Sequence, residues 1–80
     1  MVAVLTIIDS NDEDHIENHL YSKWQDAIKY VADWIYERYE DDEDICHELV
    51  KEMTMCLKED GIWIEPENDY TFFLNECKVN

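Results

Sequence analysis

Five consecutive carboxylates, Glu40-Asp41-Asp42-Glu43-Asp44, interrupt this chain of 80 residues near its midpoint. Acids that repel one another at i,i+3 and i,i+4 are unfavourable inside one helix, yet they suit a first helical turn, where the macrodipole is positive. The run therefore splits the surrounding sequence into two helices, the second expected to begin at Asp41 or Asp42. Upstream, Trp24, Ala27, Ile28, Val31, Ile35 and Tyr39 recur at helical spacing as one apolar stripe, with Asp26, Tyr30, Asp33 and Glu37 on the opposite side. Ser22 offers an N-cap, and Gln25 three residues later completes a capping-box pattern. Downstream, Ile45, Leu49, Met53, Cys56 and Leu57 form the second stripe, with Cys46 and Val50 at its flank. Lys58 and Gly61 suit its end.

Strands flank the two helices. Val2–Ile8 is β-branched and apolar on both phases, which predicts a central strand covered on both faces. Residues 9–14 are turn-rich, and His15–Tyr21 alternates. Ile16 and Leu20 share one phase and His15, Glu17 and His19 the other, so a half-buried second strand with exposed histidines is expected. Ile62–Ile64 and Tyr70–Cys77 read as two further strands closed by a hairpin over 65–69. The expected fold is α+β, ββααββ, with residues 1–80 as a single domain: an antiparallel sheet of three to four strands and two helices on one face.

Charge narrows the possible functions. Twenty-one Asp and Glu stand against 6 Lys and Arg, a net charge of −15, while 46% of residues are hydrophobic and 12% aromatic. Those apolar residues predict a folded chain, since an acidic disordered tail lacks them. Direct nucleic-acid binding needs a basic footprint and is not expected. No apolar run approaches the roughly 20 residues of a membrane span, and Val2–Ile8 is too short for a signal peptide. Cys46, Cys56 and Cys77 are an odd, sparse set, expected to be reduced thiols in a cytoplasmic protein.

Catalytic patterns are weak. Acid–base work needs two carboxylates in contrasting environments, whereas these lie in exposed turns. Residues 9–14 faintly follow a calcium-loop pattern, but no glycine stands at the sixth position and Leu20 occupies the place of the bidentate Glu. On one strand, His15 and His19 would be about 13 Å apart, too far to share a metal. Cys46-His47 has no partners at zinc-finger spacing, Ser10 and Ser22 are the only serines, and no phosphate-binding glycine loop is present. The expectation is a non-enzyme without cofactor or metal.

The ββααββ path carries the turn at 9–14, the interhelical junction at 37–44 and the loop at 65–69 to the same end. These segments hold more than half of the 21 acids and one base, Arg38. Spread evenly over roughly 5,000 Å², the acids would sit beyond the screening length of about 8 Å; gathered at one pole, their potentials add. Acidic turns also serve solubility alone. Tyr30, set among carboxylates, suits an interface with a cationic surface.

In size and composition the whole chain resembles phage-type inhibitors that mimic nucleic acid, the anti-CRISPR and antirestriction proteins. The resemblance rests on no motif and transfers no family residue. It implies that carboxylates replace phosphates in the basic groove of a nucleic-acid-binding protein, such as a nuclease or CRISPR effector, in the host cytoplasm. The residues expected to contact that partner are Asp12, Asp14, Asp26, Tyr30, Asp33, Glu37, Glu40, Asp41, Asp42, Glu43 and Asp44. Two alternatives stay open. One is an immunity protein or antitoxin that plugs a basic nuclease. The other is a homo-oligomeric module, a possible homodimer, that pairs through aromatic helix faces and carries its acids for solubility.

Overall fold

A computed structural model describes residues 2–12 and 15–77. Glu13, Asp14 and Lys78 lie outside them, so the expectation placed on Asp14 does too. The fold is α+β, in the order β1 (Val2–Asp9), β2 (Ile16–Tyr21), α1 (Trp24–Arg38), α2 (Glu43–Glu59), β3 (Ile62–Ile64) and β4 (Tyr70–Cys77). One antiparallel sheet has the order β2-β1-β4-β3, with both helices on one face. Among the described residues, no helix is long and apolar enough to cross a membrane.

The core lies between that face and the helices. Ala3, Leu5 and Ile7 of β1, Phe72 and Leu74 of β4 and Trp63 of β3 pack on Ala27, Val31 and Ile35 of α1 and on Cys46, Leu49, Met53 and Leu57 of α2. Each large side chain buried there contributes about 1.5–3 kcal/mol. Trp34 meets Tyr70 and Phe72 edge-on, with ring centroids 5.2 and 5.0 Å apart.

Local chemistry explains the helix ends. The Asp42 carboxylate accepts the Ile45 N–H at 3.2 Å and caps α2, while Glu43 and Asp44 occupy its first turn. After α2 the chain turns through Gly61 at φ +74°, where an added Cβ would stand 3.1 Å from the Leu74 carbonyl oxygen. The start of α1 differs from expectation. Ser22 is not its cap; Lys23 occupies that position without a side-chain cap bond, because the helix begins at Trp24, one residue later than a Ser22 cap requires.

Three burial expectations are corrected. In α2 the buried stripe runs through Cys46 and leaves Ile45 43% exposed, because the face presented to α1 and the sheet is turned by one residue. In β1 only one face lies under the helices; Val2, Val4, Thr6 and Ile8 on the other are half-buried by neighbouring strands. In β2 the phases are inverted. Pairing of Leu5 with His19 and Ile7 with Glu17 turns the polar phase toward the helices. His19 is accordingly half-buried, its ring 4.8 Å from that of Tyr30, whereas His15 precedes the strand and is exposed.

Ile16 and Leu20 thus point to the open side. By register, that side is formed by Val2, Val4, Thr6 and Ile8 of β1, Ile16, Asn18 and Leu20 of β2, Ile62 and Ile64 of β3, and Thr71, Phe73 and Asn75 of β4. None of these side chains is charged.

Candidate functional site

Three acidic segments meet at one end of the molecule, and hydrogen bonds hold them there. The Ser10 N–H donates to the Asp69 carbonyl at 2.8 Å, and Asn11 Nδ2 donates to Asp69 Oδ1 at 3.0 Å, which ties the β1–β2 turn to the β3–β4 loop. Arg38, in the last turn of α1, donates through Nη2 to Glu67 Oε2 and Asp69 Oδ2, both at 2.9 Å. The Asp42 N–H donates to the Tyr39 carbonyl at 3.0 Å, a local turn that closes the end of α1 just beyond Arg38.

Glu65 is the buried centre of this pole, 0% exposed. Its Oε2 accepts the Tyr39 hydroxyl at 2.8 Å and faces Arg38 Nε at 3.2 Å. Its Oε1 accepts the Asp69 N–H at 2.9 Å and Arg38 Nη2 at 3.4 Å. A buried carboxylate is costly unless paired and hydrogen-bonded, and here both oxygens are satisfied. The guanidinium also lies 5.4 Å from the Trp34 ring centre and 5.2 Å from that of Tyr70, each within cation–π range.

Burial lowers the affinity of Arg38 for its proton, but the Tyr39 hydroxyl and the charges of Glu65 and Glu67 outweigh it, so its pKa is raised. Burial pushes the Tyr39 phenol up as well, reinforced by its bond to Glu65.

Glu65, Glu67 and Asp69 each bring one oxygen within 4.8 Å of the others, a spacing that suits a metal ion. All three already bond the Arg38 guanidinium, which supplies the local positive charge. With both of its oxygens engaged, Glu65 has no open position for abstracting a proton from a substrate.

Glu37, Glu40, Asp41, Asp42, Glu43 and Asp44 are all exposed, as is Asp12 of the first turn, and Glu43 Oε1 lies 3.8 Å from His47 Nε2. These expected residues are brought to the pole. Asp26, Tyr30 and Asp33 lie on the exposed side of α1 before its last turn, and Asp26 stands about 18 Å along the helix from Arg38. Tyr30 packs with His19 and Tyr21. At the far ends of the two helices, Lys58 Nζ lies 5.8 Å from the Trp24 ring centre. Sequence reasoning noticed Arg38 as the one base among these acids but missed its partners. The signal lay in that solitary placement.

No family model, curated protein or solved structure matches this chain.

Proposed function

We propose that the protein is a non-catalytic inhibitor whose acidic pole occupies the basic nucleic-acid groove of a target protein, blocking access of DNA or RNA. One observation carries the reading: three segments distant in sequence are bonded together at one end, where Arg38 engages the inner acids and the outer ones face solvent. A duplex presents one negative charge per about 1.7 Å of axis, so a protein surrogate must crowd carboxylates at short range. Glu40 through Asp44 do so on the rim of a bonded scaffold, so little ordering entropy is lost on docking. Electrostatic complementarity then raises the association rate and disfavours acidic partners. On this reading the protein acts as nucleic-acid mimics of the anti-CRISPR and antirestriction kind do, in the cytoplasm and without a cofactor.

The test is capture from lysate at low salt on the immobilised protein, with elution by rising salt and identification by mass spectrometry. Basic nucleic-acid-binding proteins should elute between roughly 50 and 500 mM salt. Free DNA or RNA should release them, and the Glu37→Gln, Glu40→Gln, Asp41→Asn, Asp44→Asn variant, which spares the Asp42 cap, should fail to retain them. Equal capture by that variant would refute the assignment of the site.

A further inference from the structure

Among the described residues, the open face of the sheet carries no charged strand side chain, in a chain of net −15. Ile16, Leu20, Ile62 and Ile64 on it are 54%, 71%, 37% and 52% exposed. Single exposed aliphatics are ordinary, but these four flank a continuous surface, and one cross-strand row, Ile16–Ile8–Thr71–Ile64, spans all four strands.

We infer that this face is the interface of a homodimer in which two copies stack sheet against sheet about a two-fold axis. The inference is independent of the reading of the acidic pole. A charged partner finds no counter-charge on this face, whereas a second copy offers an equally uncharged, twisted apolar face. Two such sheets pack about 10 Å apart with their strands about 30° from parallel. A two-fold interface also asks only that one patch complement itself.

Area and charge agree with that occupant. Four strands about 4.8 Å apart, averaging about six residues at 3.3 Å rise, give a footprint of about 400 Å². With side-chain relief, the two copies together bury on the order of 1,000 Å², near the lower limit for a specific interface. The association is therefore weak and concentration-dependent. The acidic helices lie on the outer layers, and a two-fold axis running across the strands sends the two acidic poles to opposite ends. Residual repulsion is screened as salt rises.

Sedimentation equilibrium over a concentration series, at about 0.1 M and about 1 M salt, tests the proposal. The expected result is a monomer–dimer equilibrium that tightens at the higher salt, opposite in sign to groove binding. Leu20→Lys and Ile64→Lys should each weaken dimerisation at least tenfold. Both side chains are more than half exposed, so the variants should retain the wild-type circular dichroism spectrum. Asp41→Lys, at the acidic pole, should not weaken dimerisation. A monomer at every concentration and both salts would overturn the inference and leave the face to a different occupant. Undiminished dimerisation by both lysine variants would overturn it too, moving the contact to another surface such as Ile45 and Met55 of α2.

Discussion

Arg38 Nε lies 3.2 Å from Glu65 Oε2, joining the last turn of α1 to the start of the β3–β4 loop, with the carboxylate completely buried and the guanidinium partly exposed. This pairing explains how so many acids share one end of a small fold. The inner carboxylates are held by one guanidinium and by neighbouring N–H and O–H donors, which leaves the outer ones to solvent. A chain with a neutral residue at position 38 would bury Glu65 without its counter-ion.

Removing that counter-ion should be costly. Arg38→Met is expected to lower stability by about 3–5 kcal/mol, the usual cost of orphaning a buried charge. Glu67→Gln, on the exposed side of the same cluster, should cost less than about 1 kcal/mol. Adding Glu65→Leu to Arg38→Met should recover part of the loss. Urea denaturation of the four proteins measures this; equal losses for the two single variants would show that burial of Glu65 does not control the energetics.

Salt should stabilise the fold. Crowded acids oppose compaction, and screening relieves them, so the melting temperature should rise between roughly 50 and 500 mM sodium chloride. Neutralising Glu40, Asp41 and Asp44 together should raise the low-salt melting temperature and flatten its salt dependence. A melting temperature indifferent to salt in both proteins would mean that the pole imposes no strain.

Alkaline pH should destabilise the protein. Burial, followed by the charges of Asp42 and Glu43, raises the Cys46 thiol above its ordinary value of 9.0, and burial with the Glu65 bond raises Tyr39 above 10.0. Burial first, then the nearby Tyr30 and Asp26, also raises Tyr21. In each case the folded state holds the proton more tightly, so the stabilisation is complete below the unfolded value and is lost as pH rises through the folded one. Unfolding free energy from these groups should therefore stay level to about pH 8 and fall above about pH 9. Burial, then the charges of Glu52, Asp60 and Glu59, also raises the Cys56 thiol. Cys46→Ala should therefore reduce the earliest part of that decline in urea melts repeated across pH, and Cys46→Ala with Cys56→Ala should remove it.

Two backbone positions can be checked more simply. Gly61→Ala places a side chain at φ +74° and 3.1 Å from the Leu74 carbonyl oxygen, and should cost about 1–2 kcal/mol. Asp42→Ala removes the acceptor of the Ile45 N–H and should cost about 1 kcal/mol. Thermal denaturation distinguishes these from exposed substitutions such as Glu48→Gln, which should change stability by less than about 0.5 kcal/mol.

The order of elements was readable because it depends on local spacing. The stripe from Trp24 to Tyr39, the break at Glu40–Asp44 and the stop at Gly61 are statements about neighbours within one or two turns. That order also carries the chain back and forth, so the meeting of the acidic segments follows from topology alone. Burial was harder to read. Both phases of Val2–Ile8 are apolar, and Ile16 and Leu20 look like core residues in a strand considered by itself. Which phase the helices cover is decided by the pairing of Leu5 with His19 and Leu74, a long-range relation with no local signature.

What the residues determined unaided is the alternation of strand and helix, since backbone preference and like-charge repulsion act over short stretches of chain, and the back-and-forth path of that order then gathers the negative charge. Tertiary structure alone decided that Arg38 would reach across 27 to 31 positions to Glu65, Glu67 and Asp69. It also decided that Ile16, Leu20, Ile62 and Ile64 would share an open surface. Contacts of that range depend on sheet register and helix placement, which are set by the packing of the whole core.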